Sequence, residues 1–526
     1  MNYEAIVVGG GIAGLTTACY LGRAGKRTLL LEQGDHLGGL VVSFERDGYV
    51  FDGGIRAFEN SGIVKPMLKQ LGITVDFVRS PVSIGIGTDF IFLKSEASII
   101  DYEALLVKHF PAEEADIRAI IGEVKKVMGY MDVLYGIDNP LFLDSLSDSN
   151  YIFRTLLPWL MKYKKNVKKA MALKAPINDH LALFTKNRAL IDIISQHFFR
   201  QTPAFFALSY FSLYLDYNYP MGGTGSLIHA LETYARAKAV EIKTKTTVVG
   251  FDPEARTVRT AAGEIIEYQE LVWTADMNAM YRSVAPERRT PPIQKRLQRL
   301  EGKTGGDSVF TVYLEADVPP AEFARTCGAH SFYTPVAAGL GNITADRIDP
   351  NVLDESGLPV GLADYFANTT YEISIPCLRD PSLAPAGKTG LIVSALMDYC
   401  LVARIRDDGH YEAFKKQCEK WIVDTLAKAA FPMLRGHVDG KFSSTPLTIE
   451  RDVKSFQGAI TGWAFTNDPI PAEHGFSSIL KTIDTAIPHV WQAGQWTFAP
   501  AGLPISALTG KLAADAVVRR TKKTHR

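Results

Sequence analysis

The chain has 526 residues, 47% apolar and 22% charged, with 57 basic side chains against 57 acidic ones. That length exceeds one ordinary core, so two or more domains are expected. The zero net charge gives no general argument for a nucleic-acid partner and confines any basic patch to a local one. Five dispersed cysteines (Cys19, Cys327, Cys377, Cys400, Cys418) form no CxxC pair. Their spacing argues against a metal site or a disulfide framework and fits a reduced, cytoplasmic compartment. The N-terminus has no basic segment of the signal-peptide kind, and no run reaches the about 18 apolar residues of a spanning helix. The expected protein is soluble, or peripheral on a membrane surface.

Glu4 to Val8 is a short apolar run of the buried-strand type. Gly9-Gly10-Gly11-Ile12-Ala13-Gly14 follows and satisfies GxGxxG. Leu15 to Gly22 reads as helix and Thr28 to Leu31 as a second strand, ending in Glu32, 18 residues after Gly14. Gly9 permits a tight turn, Gly11 lets backbone approach a pyrophosphate, and Gly14 lets the helix pack close. The helix start at Ile12 and Ala13 offers amide N–H groups and a positive dipole end to phosphates. Glu32 is suited to accept from ribose hydroxyls, and its charge disfavours a 2′-phosphate.

Directly after the acid and Gln33 come Gly34-Asp35-His36-Leu37-Gly38-Gly39, then Val41 to Phe44, a turn at Asp47-Gly48, and Tyr49-Val50-Phe51-Asp52-Gly53-Gly54. This resembles the extended FAD-binding segment of the amine oxidase and phytoene desaturase superfamily. That segment runs from an acid through a GG pair and a hairpin ending in D-G-G. The arginine or serine usual after the GG pair is Leu40 here. Arg56, just past Gly54, is the candidate polar group near a flavin, and so the one weak catalytic candidate; the alternative is a structural ion pair with Asp52 or Glu59. His36 reads as a loop residue.

Residues from about 100 to 215 read as helical. Glu113 to Tyr135 has helical periodicity. In Tyr151 to Leu173, Ile152, Phe153, Leu156, Leu157, Trp159, Leu160 and Met161 precede Lys162, Lys164, Lys165, Lys168, Lys169 and Lys174. An apolar wedge with a basic end suits a helix lying on anionic lipid; a lid helix with a solvated basic end is the alternative. Phe205 to Tyr214 is aromatic-rich, with Phe206, Tyr210 and Leu213 on one helical face. It reads as a tunnel wall or a core helix.

Tyr219 to Leu227, with Pro220 and Gly222-Gly223, leads into a helix to about Ala237. Strands follow at Val240–Ile242 and Thr246–Phe251, then a hairpin through Gly263, and a strand ending at Ala275-Asp276. Val309–Leu314 and Leu391–Ala395 read as strands, and Tyr411–Ala430 as an amphipathic helix. The chain closes with Gly494-Gln495, then Pro500-Ala501-Gly502-Leu503-Pro504 and a small-residue helix from Ser506 to Ala514.

Together these segments resemble the phytoene desaturase, carotenoid isomerase and retinol saturase group along the full length. The family has an acid where Gln495 stands and a glycine where Ala501 stands. The resemblance implies an α/β fold: a Rossmann-type FAD-binding domain with an interleaved α+β substrate domain and helical lid. The flavin unit is expected at 1–100, 215–295 and 480–526, and the substrate unit at 101–214 and 296–479. It implies non-covalent FAD, contacted by Gly9, Gly11, Ile12, Ala13, Gly14, Glu32, Gln33, Gly38, Gly39, Gly54, Val248, Gly494, Gln495, Gly502, Leu503 and Pro504. The implied chemistry is desaturation, saturation or cis–trans isomerisation of an apolar polyene or isoprenoid such as a carotenoid. One fingerprint alone argues against a separate NAD domain, and no electron acceptor or donor is named by the sequence. A flavin amine oxidase and a flavin-free GDP-dissociation inhibitor share the fold and stand as alternatives; the intact fingerprint argues against the latter.

Overall fold

The computed structural model describes residues 3–135, 137–143, 152–195, 198–341, 348–354 and 357–524. The order strand, glycine turn, helix, strand is realised as β1 (Tyr3–Val8), α1 (Ile12–Arg23) and β2 (Thr28–Leu31). Ala5 to Val8 are all buried, as a central parallel strand needs. β1 lies between β2 and the strand Ile265–Trp273, parallel to both. Glu241–Lys243 extends the sheet beyond β2, and Val490–Gln492 pairs parallel with Ile265–Trp273 on its other edge. The hairpin through Gly263 adds antiparallel Thr257–Thr260 and then Val248–Asp252. Three segments remote in sequence thus close one sheet.

α1 is buried along its length, from Ile12 to Gly22. Its close packing rests on two missing side chains. A Cβ on Gly14 would stand 1.9 Å from the Gly9 carbonyl oxygen, and one on Gly510 would stand 2.5 Å from the Ala13 carbonyl oxygen. Gly510 belongs to the C-terminal helix, Leu503–Thr524, which is longer at both ends than the small-residue pattern predicts. The Thr17 hydroxyl donates to the Gly510 carbonyl at 3.0 Å and fastens the two helices.

The second sheet has the order Val438–Ser444, Ser308–Ala316, Thr389–Met397, Tyr371–Ser374, His330–Thr334, Val82–Ile86, Asp89–Leu93. Only the His330–Thr334 and Val82–Ile86 pair is parallel. Val82 to Leu93, from the stretch expected in the flavin unit, therefore complete the other sheet. One face packs Phe310, Ile373 and Val393 against Phe414 and Ile422 of the helix Tyr411–Lys428. By strand alternation the opposite face presents Thr311, Ser394, Glu372, Ser374 and His330.

A hairpin of β3 (Ser43–Arg46) and β4 (Tyr49–Asp52) is followed by β5 (Phe58–Glu59). β5 and Phe77–Arg79 flank Tyr217–Pro220 in a small antiparallel sheet. The helical region is present as Ile99–His109, Glu114–Tyr135, Leu157–Ala170, Arg188–Ser195 and Ala204–Leu215. Tyr151, which opens the predicted wedge, lies outside the described residues.

Candidate functional site

The glycine turn after β1 opens on a cavity of about 1310 Å³. Gly9 sits at φ +105°, where an L side chain is strained. Gly11 caps α1 without a side-chain hydrogen bond, and the helix bonding starts at Leu15, whose N–H donates to the Gly11 carbonyl at 2.9 Å. The first-turn amides of Ile12, Ala13 and Gly14 therefore have no acceptor within the helix. A Cβ on Gly11 would meet only the Gly38 carbonyl oxygen, at 3.9 Å, and would otherwise point into the cavity. This is the cradle a pyrophosphate needs, with bare backbone, uncommitted amides and a positive helix end. Thr274, unmarked by sequence reading, secures the turn; its hydroxyl lies 2.9 Å from both the Val8 and Gly9 carbonyl oxygens.

Of the residues singled out from the sequence, Gly9, Gly11, Ile12 and Ala13 line the cavity beside Glu32 and Gln33. Gly38, Gly39, Val248, Gly494 and Gln495 line it as well. The Glu32 carboxylate accepts from Gly10 N–H at 2.6 Å and from Gly34 N–H at 2.7 Å, so it first shapes the turn. Each oxygen has a second lone pair, the one a ribose hydroxyl would use. Gly38, at φ +117°, and Gly39, at φ +60°, carry the chain past Gly11. Leu40 brings an apolar side chain to the wall in place of a cation or hydroxyl. Gln495 donates from Nε2 to the Ser455 hydroxyl at 3.3 Å, while Gly494 donates to the Thr509 hydroxyl at 2.9 Å. Asp276, also on the wall, caps the next helix by accepting from Ala279 N–H at 2.8 Å, and burial pushes its carboxyl up to about 6.

Gly14, Gly54, Gly502, Leu503 and Pro504 are not among the residues that line this cavity. A Cβ on Gly54 would be 1.9 Å from the Leu40 carbonyl oxygen, so this glycine lets the return strand approach the GG segment. Asp52 is the hub of that return. It accepts from the Ser43 hydroxyl at 2.8 Å, from the Thr224 N–H and hydroxyl at 2.9 Å, and from the Tyr219 hydroxyl at 2.9 Å. One buried carboxylate thus joins the hairpin, the Gly222–Gly225 loop and the Tyr217–Pro220 strand.

Arg56 makes neither expected ion pair. Its guanidinium donates to the carbonyls of Asp52 and Gly54 and, at 3.2 Å, to the Ser394 hydroxyl. It is buried and joins the end of the hairpin to the second sheet, as a structural arginine does. Arg379 is its unforeseen companion. It donates to the Arg56 carbonyl at 2.8 Å and lies 3.8 Å from the Tyr219 ring centroid. Its neighbour Asp380 accepts from Gly222 N–H at 2.8 Å. Neither sits in a recognisable motif; only the long-range packing brings them in.

A nucleotide cradle open on one side to a second, sheet-based unit is the plan of a dinucleotide-dependent oxidoreductase. The sequence matches the family described as flavin containing amine oxidoreductase over residues 12–518, and the chain belongs to it. It is an FAD-dependent oxidoreductase of α/β fold. It is 25% identical to the chloroplastic prolycopene isomerase of Daucus carota, covering 98% of this chain and 80% of that one. It is 23% identical to the lycopene-forming phytoene desaturase of Pseudescherichia vulneris, over 98% and 99% of the two chains. The cyclohexylamine oxidase of Brevibacterium oxydans has the same fold, with a TM-score of 0.57 and 12% identity over 99% of this chain and 100% of that one.

Proposed function

We propose that this enzyme acts on a carbon–carbon bond of an apolar polyene or isoprenoid, such as a carotenoid, taken from a membrane surface. Desaturation, saturation and cis–trans isomerisation all fall within this reading. FAD, when bound, supplies the two-electron step. Gly9, Gly11, Ile12 and Ala13 would hold its pyrophosphate, Glu32 its ribose, the Val248 backbone its adenine, and Gly494 and Gln495 its ribitol. Gly38 and Gly39 close the cradle, Gly14 and Gly54 let its backbone segments approach, and Gly502, Leu503 and Pro504 would contact the flavin from the C-terminal segment. Binding is non-covalent in this reading, because the hairpin that follows the GG pair carries no Cys or His. His36, close to that hairpin, is exposed and paired with Asp35 at 2.7 Å. The division into units follows the two sheets, with 82–93 assigned to the substrate unit.

One observation carries the substrate reading. Phe153, Leu157, Leu160 and Met161 are 68%, 47%, 39% and 66% exposed. They recur on one side of the segment 152–170, with exposed Lys162, Lys164, Lys165, Lys168 and Lys169 after them. The opposite side is anchored: the Trp159 indole donates to the Val133 carbonyl at 2.6 Å, and Tyr163 and Val167 pack into the helical core. A lid would bury its apolar residues; these face outward, as lipid-contacting ones do. No helix among the described residues is long and apolar enough to cross a membrane, so the contact is peripheral. The wedge also leads inward, since Ala204 and Phe205 of the aromatic helix donate to the Ala175 and Leu173 carbonyls at 2.8 and 3.0 Å. The names of the two carotenoid-related relatives point the same way, and the alternative of a soluble amine gives no use for the wedge.

The test is to mix holoenzyme anaerobically with anionic liposomes carrying a linear polyene and, separately, with soluble primary amines. Altered polyene bonds, with no amine oxidation, are expected. Flavin reduction by the amine and an unchanged polyene would overturn the reading.

A further inference from the structure

An aromatic file crosses the substrate side of the molecule and ends on a carboxylate. Phe206, Tyr210 and Tyr214 recur every fourth residue along Ala204–Leu215, with ring centroids 5.1 and 5.4 Å apart. Tyr214 passes the file to Tyr217 at 5.7 Å, and Tyr217 faces His330 of the second sheet at 5.2 Å. Tyr217 and Glu59 are directly paired across the antiparallel strands, so their side chains leave the same face of the small sheet. Glu59 Oε1 lies 3.6 Å from where a Cβ on Gly502 would stand, beside the first turn of the C-terminal helix. The file therefore runs from the wedge to the segment that resembles the family's flavin contact.

Glu59 is half-buried, and among the described residues no Lys, Arg or His lies within ion-pair distance of it. The charged group that acts on it is Asp216, at the end of the aromatic helix, and its cross-strand neighbour is Tyr217; Tyr217 in turn lies among Tyr210 and the His330–Glu372 pair, 3.0 Å apart. Lys65, the cation that acts on Asp216, donates to Asn218 Oδ1 at 2.7 Å. Burial first, and then the negative charge of Asp216, push the Glu59 carboxyl up to about 7. A structural glutamate here would hold a cation or a helix amide and be lowered; this one is left able to take and give a proton near neutral pH.

We propose that Glu59 is the proton-carrying catalytic residue of the reaction, an inference that rests on the polyene reading above. In the oxidative direction one C–H bond breaks with its electron pair leaving as hydride to the flavin. The neighbouring C–H bond breaks with its proton passing to a Glu59 oxygen, and the electrons left behind form the new π bond. The reverse direction returns the proton from the same oxygen. The rings of Phe206, Tyr210, Tyr214 and Tyr217 guide the polyene so that this pair of carbons reaches Glu59.

The test compares wild type, Glu59→Gln and Glu59→Asp as holoenzymes matched for FAD content, and for melting temperature at pH 5. Infrared difference spectra between pH 5 and pH 9 should show a protonated carboxyl disappearing near pH 7 in wild type; the Gln variant should lack that band and keep the one near pH 6 from Asp276. Turnover of a polyene in liposomes should fall by about 10²–10⁴-fold in kcat for Gln, with KM little changed, loss of the pH limb near 7, and partial recovery in Asp. A Gln variant that turns over polyene like wild type, with the same pH limb, overturns the role of Glu59 and leaves the substrate reading standing. A wild type inert toward polyenes overturns both.

Discussion

Three glycines of one motif serve three different physical ends, and substitution should separate them. Gly9 is required by its left-handed backbone, Gly14 by the carbonyl 1.9 Å from its missing Cβ, and Gly11 by the cavity in front of it. Gly14→Ala should therefore damage the fold itself, lowering stability by about 1–3 kcal/mol in thermal melts of the flavin-free protein. A melt unchanged from wild type would place slack where the structure has none. These roles were legible in the spacing alone, because the motif is local. Glu32 was half-legible: its position was given by the motif, but its hold on the Gly10 and Gly34 amides was not. Arg56 was seen as a buried polar group, yet its partners are carbonyls of its own turn and a serine of a remote sheet, which no spacing announces.

Glu59 gives a second prediction at this scale. Its carboxyl rises from an ordinary 4.5 to about 7 in the folded chain. A raised acid binds its proton more tightly when folded, so this stability term is complete below about pH 4.5 and is lost as pH climbs through 7. At about 1.4 kcal/mol per pH unit, the charged carboxylate costs the native state on the order of 3 kcal/mol at pH 8. Glu59→Gln should match wild type in melting temperature at pH 5 and exceed it at pH 8. A difference independent of pH would show that the carboxyl does not titrate in that range.

Among the elements, the segment 152–170 shows where sequence reading stops. Its apolar run and lysines were visible, but a wedge and a lid share that pattern; only packing reveals which side faces outward. The replacement of Lys164, Lys165, Lys168 and Lys169 by Gln should weaken flotation with anionic liposomes, by about 1 kcal/mol for each lysine near the surface, while FAD stays bound. Wild-type binding should also fall at high salt as the charges are screened. Equal flotation of the two proteins would favour the solvated lid. In the aromatic helix a wall and a core helix share one sequence pattern; Phe206 and Tyr210 continue to Tyr214, with ring centroids 5.1 and 5.4 Å apart, rather than to Leu213, and Leu213 and Tyr214 are both buried. The strands Val82–Ile86 and Asp89–Leu93 join the second sheet without any local signal that announces it. Their partner, His330–Thr334, lies far along the chain, and a parallel pairing leaves no hairpin signal between the two.

At the scale of the whole molecule, both sheets are assembled from segments interleaved along the chain, and the flavin cradle forms only where they meet. The parallel core was readable because each strand announces itself as an apolar run, and a family resemblance supplied their order. The bridge between the sheets was not readable: Asp52, Arg56 and Arg379 tie the hairpin, the Gly222 loop and the second sheet through contacts spanning hundreds of residues. The proposed cradle rests on Gly11, whose replacement by Val would fill the space proposed for the pyrophosphate without touching either core. The decisive measurement is the flavin content of purified wild type and Gly11→Val, each denatured to release the cofactor and compared by circular dichroism beforehand. Wild type should release one free FAD per chain and Gly11→Val almost none, with the same helix content. Flavin bound to Gly11→Val at the wild-type level, or retained on the denatured wild-type chain, would contradict a non-covalent FAD seated on this turn.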